Sequence, residues 1–139
     1  MYKAVGITFI AKDTKRIIMN LRSKNVKHSN TWSFWGGKVE ADEQPFDALR
    51  REVIEEMGYF PATYKIHPLD IFTTKDKSFA YYTFVGIVGE EFIPVLNRES
   101  AGYCWTDIGE YPEPLHKGAY QTLSSPKNNK KLKTILKKI

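Results

Sequence analysis

The chain predicts an α/β or α+β domain, and three observations carry that expectation. Segments with alternating apolar residues occur both before and after residues 45–57; those residues carry an uninterrupted helical repeat; and a second apolar repeat of helical spacing closes the chain. At 139 residues this is the length of one domain, and 42% hydrophobic with 27% charged residues is an ordinary globular composition. No internal repeat or second domain is visible, so residues 1–139 are expected to form a single unit.

Val5, Ile7 and Phe9 alternate, as do Ile17, Met19 and Leu21, with the polar residues 12–15 between them. This predicts a strand, a turn and a strand. Residues 23–31 (SKNVKHSNT) form a polar loop. Residues 32–40 (WSFWGGKVE) read as a short strand broken at Gly36 and Gly37, a pair that marks a tight turn or a close backbone approach. The spacing predicts a helix over 45–57. Pro45 suits its first turn, Asp42 and Glu43 lie near that start, and Gly58 is a stop signal. Phe46, Leu49, Val53 and Met57 make its apolar face.

Residues 64–76 and 78–90 are strand-like and predict a hairpin, and residues 100–108 (SAGYCWTDI) predict another strand. Pro112, Pro114 and Gly118 interrupt the chain before a short helix at 117–124. Leu132, Ile135, Leu136 and Ile139 then recur at helical spacing, so residues 126–139 read as a basic, amphipathic C-terminal helix.

Charge is unevenly placed. Six lysines and no acid lie in residues 126–139, so a net charge of +5 becomes −1 for residues 1–125. The basic character belongs to the tail and does not mark the body as a nucleic-acid binder. The tail's apolar stripe is expected to dock on the sheet with its lysines in solvent. Attraction to RNA or a membrane surface is the weaker reading, because no RNA-binding signature accompanies the lysines. The single cysteine, Cys104, sits between Tyr103 and Trp105 and reads as a small buried hydrophobe. With no pair to form a disulfide, a reducing, cytoplasmic setting is the default. The N-terminus alternates and lacks a signal-peptide layout, and no apolar run approaches the roughly 18 residues of a membrane span, so no membrane partner is expected.

The stretch 51–58, REVIEEMG, sets Glu52, Glu55 and Glu56 within five residues. Like charges three and four apart on a helix cost roughly 0.2–0.5 kcal/mol per pair. On a wheel of about 100° per residue the three cover an arc beside the apolar stripe. Glu56 borders the stripe and is expected to be partly buried, while Glu55 points furthest away. Arg51 can pair with Glu55, but one arginine does not answer three acids. A hard divalent cation does, since it takes carboxylate, carbonyl and phosphate oxygens.

The wider spacing is more specific. Gly37, Glu43, Arg51, Glu52, Glu55, Glu56 and Gly58 stand in the pattern G-x5-E-x7-R-E-U-x-E-E-x-G-U, where U is bulky and aliphatic. This resembles the Nudix box. A chance match at a given start is about 10⁻⁹ at average residue usage. Two departures are Tyr59, in place of an aliphatic, and Trp35, where many members have proline before the paired glycines.

The resemblance implies a Nudix fold, an α/β/α sandwich around a mixed β-sheet, and hydrolysis of a nucleoside diphosphate linked to another group, with Mg²⁺ or Mn²⁺ as cofactor. It implies Glu52, Glu55, Glu56 and the Gly37 carbonyl as metal ligands, and Glu43 as support for Arg51. The catalytic set it implies is Glu55, Arg51 and Glu99. The general base in the family is either a box glutamate or one on a later loop, and Glu99 is the loop candidate here, ahead of Glu90 and Glu91. Arg22, at the end of the second strand, is the candidate substrate contact. Trp35 is the candidate base-stacking surface, with Trp32, Phe79, Tyr81 and Tyr82 as further rings. His28, His67 and His116 lack metal-ligand spacing and read as structural, His116 lying nearest the Glu99 strand. A small-molecule nucleotide is the expected partner, with a slight tilt toward nucleoside triphosphates such as oxidised dNTPs. A non-hydrolytic nucleotide sensor, or a hydrolase of RNA 5′ ends or dinucleoside polyphosphates, are the alternatives, and monomer and homodimer are both open.

Overall fold

A computed structural model describes residues 1–139, and its organising strand is β1 (Tyr2–Ala11). Along its whole length β1 pairs in parallel with β6 (Phe79–Val88). Its other edge is shared. Ala4–Ile7 pair antiparallel with β4 (Trp35–Lys38), and Ile10 pairs with Ile17 of β2 (Ile17–Arg22). Beyond β6 lies β5 (Lys65–Thr73), and β2 is flanked by β3 (Trp32–Ser33) and β7 (Ser100–Thr106), all antiparallel. One parallel pair among antiparallel ones makes the sheet mixed. The hairpin expected at 64–90 forms as β5–β6. Its turn is held by Asp76, whose carboxylate accepts from the Ser78 N–H at 3.0 Å and from the Thr74 hydroxyl at 2.7 Å.

β1 is covered on both faces, which is why its buried residues form a near-continuous run rather than a strict alternation. Val5, Ile7 and Phe9 join Ile18, Trp35 and Trp105 against α1 (Pro45–Met57). Ile10 joins Ile17, Met19, Val85 and Ile87 against α2 (Lys117–Ser124) and α3 (Pro126–Lys138). The result is the α/β/α sandwich, each fully buried aliphatic contributing about 1.5–3 kcal/mol. The basic tail docks as expected, with Leu132 and Ile135 buried.

α1 starts on Pro45 and stops where Gly58 takes the left-handed conformation (φ 81°) and returns its N–H to the Ile54 carbonyl at 2.8 Å. Its buried face is Ala48, Leu49, Val53, Glu56 and Met57. Phe46, expected on that face, is 44% exposed. It sits in the first turn, ahead of the stretch where the helix meets the sheet. Gly36 and Gly37 lie within β4 rather than at a turn, and what they permit is close approach. A Cβ on Gly36 would fall 1.9 Å from the Val5 carbonyl oxygen, and one on Gly37 would fall 2.4 Å from the Glu52 carboxyl carbon.

Candidate active site

The glycine strand and the acidic helix face each other, and the side chains between them form a cleft of about 320 Å³. Glu52 and Glu56 reach it from α1, Gly36 and Gly37 from β4, Asn20 and Arg22 from β2, and Glu99 from the loop entering β7. The lining is polar and contains three carboxylates with one arginine.

Arg51 organises the helix side. Its guanidinium donates two parallel bonds to Glu43, each 2.8 Å, one to Glu52 at 2.9 Å and one to the Lys38 carbonyl at 3.0 Å; a longer one reaches Glu55 at 3.4 Å. Two parallel N–H···O bonds fix orientation as well as distance. The Glu43 carboxylate also accepts from the Glu40 N–H at 2.9 Å, tying the loop before α1 to the same hub. Arg51 and then that backbone bond hold the Glu43 carboxyl down at about 2. These Arg51 bonds fix the Glu52 carboxylate relative to Glu43 and the backbone before α1.

Glu56 differs in environment. It is 6% exposed and has no cation bonded to it. Burial first, then the charges of Glu99 and Glu52, push its carboxyl up to about 9, against a backbone hydrogen bond from Gly36 that favours the ionised form. Burial likewise raises Glu52, with Arg51 opposing. These carboxylates repel one another across a shared cleft, which makes the cleft cation-seeking.

Glu99 is brought to the cleft by its loop. Its N–H donates to the Asn97 side chain at 2.9 Å, the same Asn97 donates to the Glu55 carbonyl of α1 at 3.3 Å, and the Glu99 carbonyl accepts from the Ser23 N–H at 2.9 Å. Asn97 thus clasps the loop to the helix. Glu55 itself stands outside the cleft lining with its side chain 57% exposed, because it lies about one helical step beyond the face that meets β4. No group of three His, Cys, Asp or Glu side chains meets at metal-ligand spacing, and of the three helix glutamates expected as ligands Glu52 and Glu56 line the cleft while Glu55 does not. The acids that share the cleft are Glu52, Glu56 and Glu99. Their oxygen-only chemistry fits a hard divalent cation, with the Gly37 backbone beside Glu52.

Trp35 corrects the stacking expectation. It is fully buried in the α1-face core, opposite Ile7 in the β1–β4 pairing, and presents no ring face to a ligand. The ring lies in the layer between sheet and helix. Arg22 lines the cleft and its Nε donates to the Lys27 carbonyl at 2.8 Å. Asn20, which belongs to no motif, is 4% exposed with its side-chain oxygen unpartnered at the cleft. A polar amide inside the apolar strand IIMNLR was the available signal. Asn97 and the Lys38 carbonyl had none, since both act through loop geometry.

The sequence profile of the NUDIX domain matches residues 2–125. The 8-oxo-dGTP diphosphatase of Haemophilus influenzae is 30% identical over 132 residues, covering 90% of this chain and 93% of that protein. Among solved structures, a MutT NUDIX hydrolase from Burkholderia pseudomallei superposes with a TM-score of 0.68 at 22% identity, covering 90% of this chain and 97% of that one. The NUDIX domain of Shewanella oneidensis NrtR, solved with ADP ribose, superposes at 0.71 and 14% identity, covering 94% and 87%. Likeness at these identities shows the shared fold. No helix is long and apolar enough to cross a membrane.

Proposed function

This chain belongs to the Nudix hydrolase family and is a Nudix pyrophosphohydrolase; from that premise we propose that it cuts a diphosphate linkage in nucleoside triphosphates, oxidised dGTP among them, using Mg²⁺ or Mn²⁺. The observation that carries the proposal is the convergence of Glu52, Glu56 and Glu99 with Arg22 in one cleft floored by Gly36 and Gly37. The name of the Haemophilus influenzae relative supports oxidised dGTP.

Glu52, Glu56 and the Gly37 carbonyl would hold the cation. When bound, it neutralises phosphate charge and favours attack by water. The remaining tasks fall to the chain. Arg51 keeps Glu52 aimed at the cleft through its bonds to Glu43 and the Lys38 carbonyl. Arg22 meets phosphate oxygens from the opposite strand. Glu99 takes the proton of the attacking water, at a position the Asn97 clasp maintains. Glu55, exposed and held only by the longest of the Arg51 bonds, supports Arg51. A cytoplasmic setting follows the unpaired Cys104.

The test is a panel. The purified chain is incubated with Mg²⁺ or Mn²⁺ and dGTP, 8-oxo-dGTP, the other dNTPs, ADP-ribose and capped RNA, and products are resolved by chromatography. Turnover of triphosphates that Glu56→Gln abolishes is expected. Tight binding without turnover on every substrate would replace the proposal with a nucleotide sensor.

A further inference from the structure

Docking turns the charge of the basic tail into a groove. α3 carries six lysines and no acid, and all six are exposed. None has an ion-pair partner; the ion pairs of the chain belong to Arg16 and Arg51. Lys127, Lys131 and Lys138 fall along one edge of the helix, at steps of four and seven residues, with Lys130 beside them. Like charges in such a row disfavour the helix unless something answers them. The row runs about 16 Å at the helical rise. Across a cleft of about 430 Å³ it faces His67 and Pro68 of β5. Of the α3 lysines, Lys131 alone bonds back to the chain, its Nζ donating to the Leu69 carbonyl at 2.9 Å.

Past His67 and Lys138 the groove continues into a space of about 300 Å³ walled by Lys12, Lys65 and Tyr64. No aspartate or glutamate lines either part. Burial, then the charges of Lys65 and Lys138, hold the His67 imidazole below its ordinary value, as a positive field without a counter-charge does. Such a row attracts polyanions, and two further features select among them. A helix that lies on a bilayer gives its apolar face to the acyl chains. In α3, Leu132 and Ile135 are buried against the sheet, so the helix offers a bilayer only charge. Tyr64, 74% exposed, stands at the far end of the groove with the Lys12 ammonium 5.1 Å from its ring centroid. A cationic groove with an exposed ring suits a single strand: phosphates meet the lysines, and an unpaired base stacks on the ring.

We propose that the groove between α3 and β5, continued to Tyr64, binds single-stranded nucleic acid through its phosphate backbone. This site is apart from the acid cleft. The two share no lining residue, and α3 covers the opposite face of the sheet from α1. The groove holds a strand and supplies no group for cutting it.

The probe is oligo(U) with a 5′-hydroxyl, which has no diphosphate for the acid cleft. It carries fluorescein at its 3′ end and is titrated with the full chain in chelator, with anisotropy as the readout. Six lysines line the groove, and each phosphate contact on a single strand contributes about 0.7 to the salt dependence. The logarithm of affinity should therefore fall with the logarithm of salt at a slope of about −3 to −4. Lys130→Gln with Lys138→Gln should weaken binding about 10-fold or more and flatten that slope by about 1.4. Lys133→Gln with Lys137→Gln removes the same charge from the same helix, but from residues outside the groove, and should change affinity less than about 3-fold. Tyr64→Leu should weaken binding about 5-fold or more and leave the slope unchanged. All five positions are exposed, so thermal melting should not move. Equal losses in the two lysine pairs would overturn the groove and leave only diffuse tail charge. Absence of binding at low salt would overturn it as well. Binding to poly-glutamate or to phosphatidylserine vesicles as tight as to oligo(U) would replace the strand with an acidic protein or a membrane surface. Because binding is read without metal or turnover, its failure leaves the hydrolase reading untouched, and the reverse holds.

Discussion

Glu56 makes the metal-free protein less stable as pH rises, and its replacement by glutamine should reverse this. The native carboxyl titrates at about 9 against 4.5 for an unperturbed one. Between those values the native state holds a proton that the unfolded chain has released, so stability falls with pH by about 1.4 kcal/mol per unit. At pH 7 the loss relative to a side chain that does not titrate is about 3 kcal/mol; at pH 5 it is under about 1 kcal/mol. Glutamine has nearly the same volume and no charge to bury. Glu56→Gln should therefore be more stable than the wild type in chelator at pH 7, with the urea midpoint higher by roughly 1–2 M. The difference should shrink toward zero at pH 4.5. With saturating Mg²⁺ the order should invert, because the wild type, with all its carboxylates, gains more binding energy from the cation. Urea melts at pH 4.5, 5, 6, 7 and 8, with and without Mg²⁺, measure all of this. A difference that stays flat across those pH values in chelator, or a variant less stable at every pH, would refute the reasoning from burial.

Other expectations are sharper in contrast. Arg51→Ala should lower kcat/KM about 10- to 100-fold, and Arg51→Lys should recover little because lysine lacks the fork that grips Glu43. In the alanine variant the Glu43 carboxyl should rise from about 2 toward its ordinary value of 4.5 by carbon NMR. The stabilising contribution of Glu43, present above 4.5 and lost as pH falls toward 2, should vanish with it. Gly36→Ala meets backbone and should cost about 1–3 kcal/mol by thermal melting, whereas Gly37→Ala meets only the end of Glu52 and should spare stability while lowering kcat. Leu132→Ala removes a fully buried side chain from the α3 face and should cost about 2–5 kcal/mol without changing the substrate ranking.

The elements were legible because each rests on a local rule. Alternation marked the strands, Pro45 and Gly58 bounded α1, and the box spacing placed the acids opposite the glycines. Which ring is core and which is surface was not legible. Trp35 and Phe79 both stand in strand-like runs, but β4 pairs inside the sheet beneath α1 and buries the tryptophan, while Phe79 opens β6 at a cleft. That difference depends on which strands are neighbours, and no local pattern carries it. Phe46 fails for a related reason: helical spacing fixes the face but not how far along the helix the sheet extends.

The three box glutamates show where a motif stops and packing begins. As letters they are equivalent. In the fold, Glu55 is solvated, Glu52 is half-buried on Arg51, and Glu56 is buried with acids for neighbours. The difference comes from rotation of about 100° per residue past a fixed sheet. A cation that binds this cleft therefore relieves most strain at Glu56, less at Glu52, where Arg51 already provides charge, and least at Glu55. Coupling between Mg²⁺ affinity and folding stability should follow that order across the three glutamine variants. An order led by Glu55 would mean that exposure on the helix, and not burial, governs how this site would hold a cation.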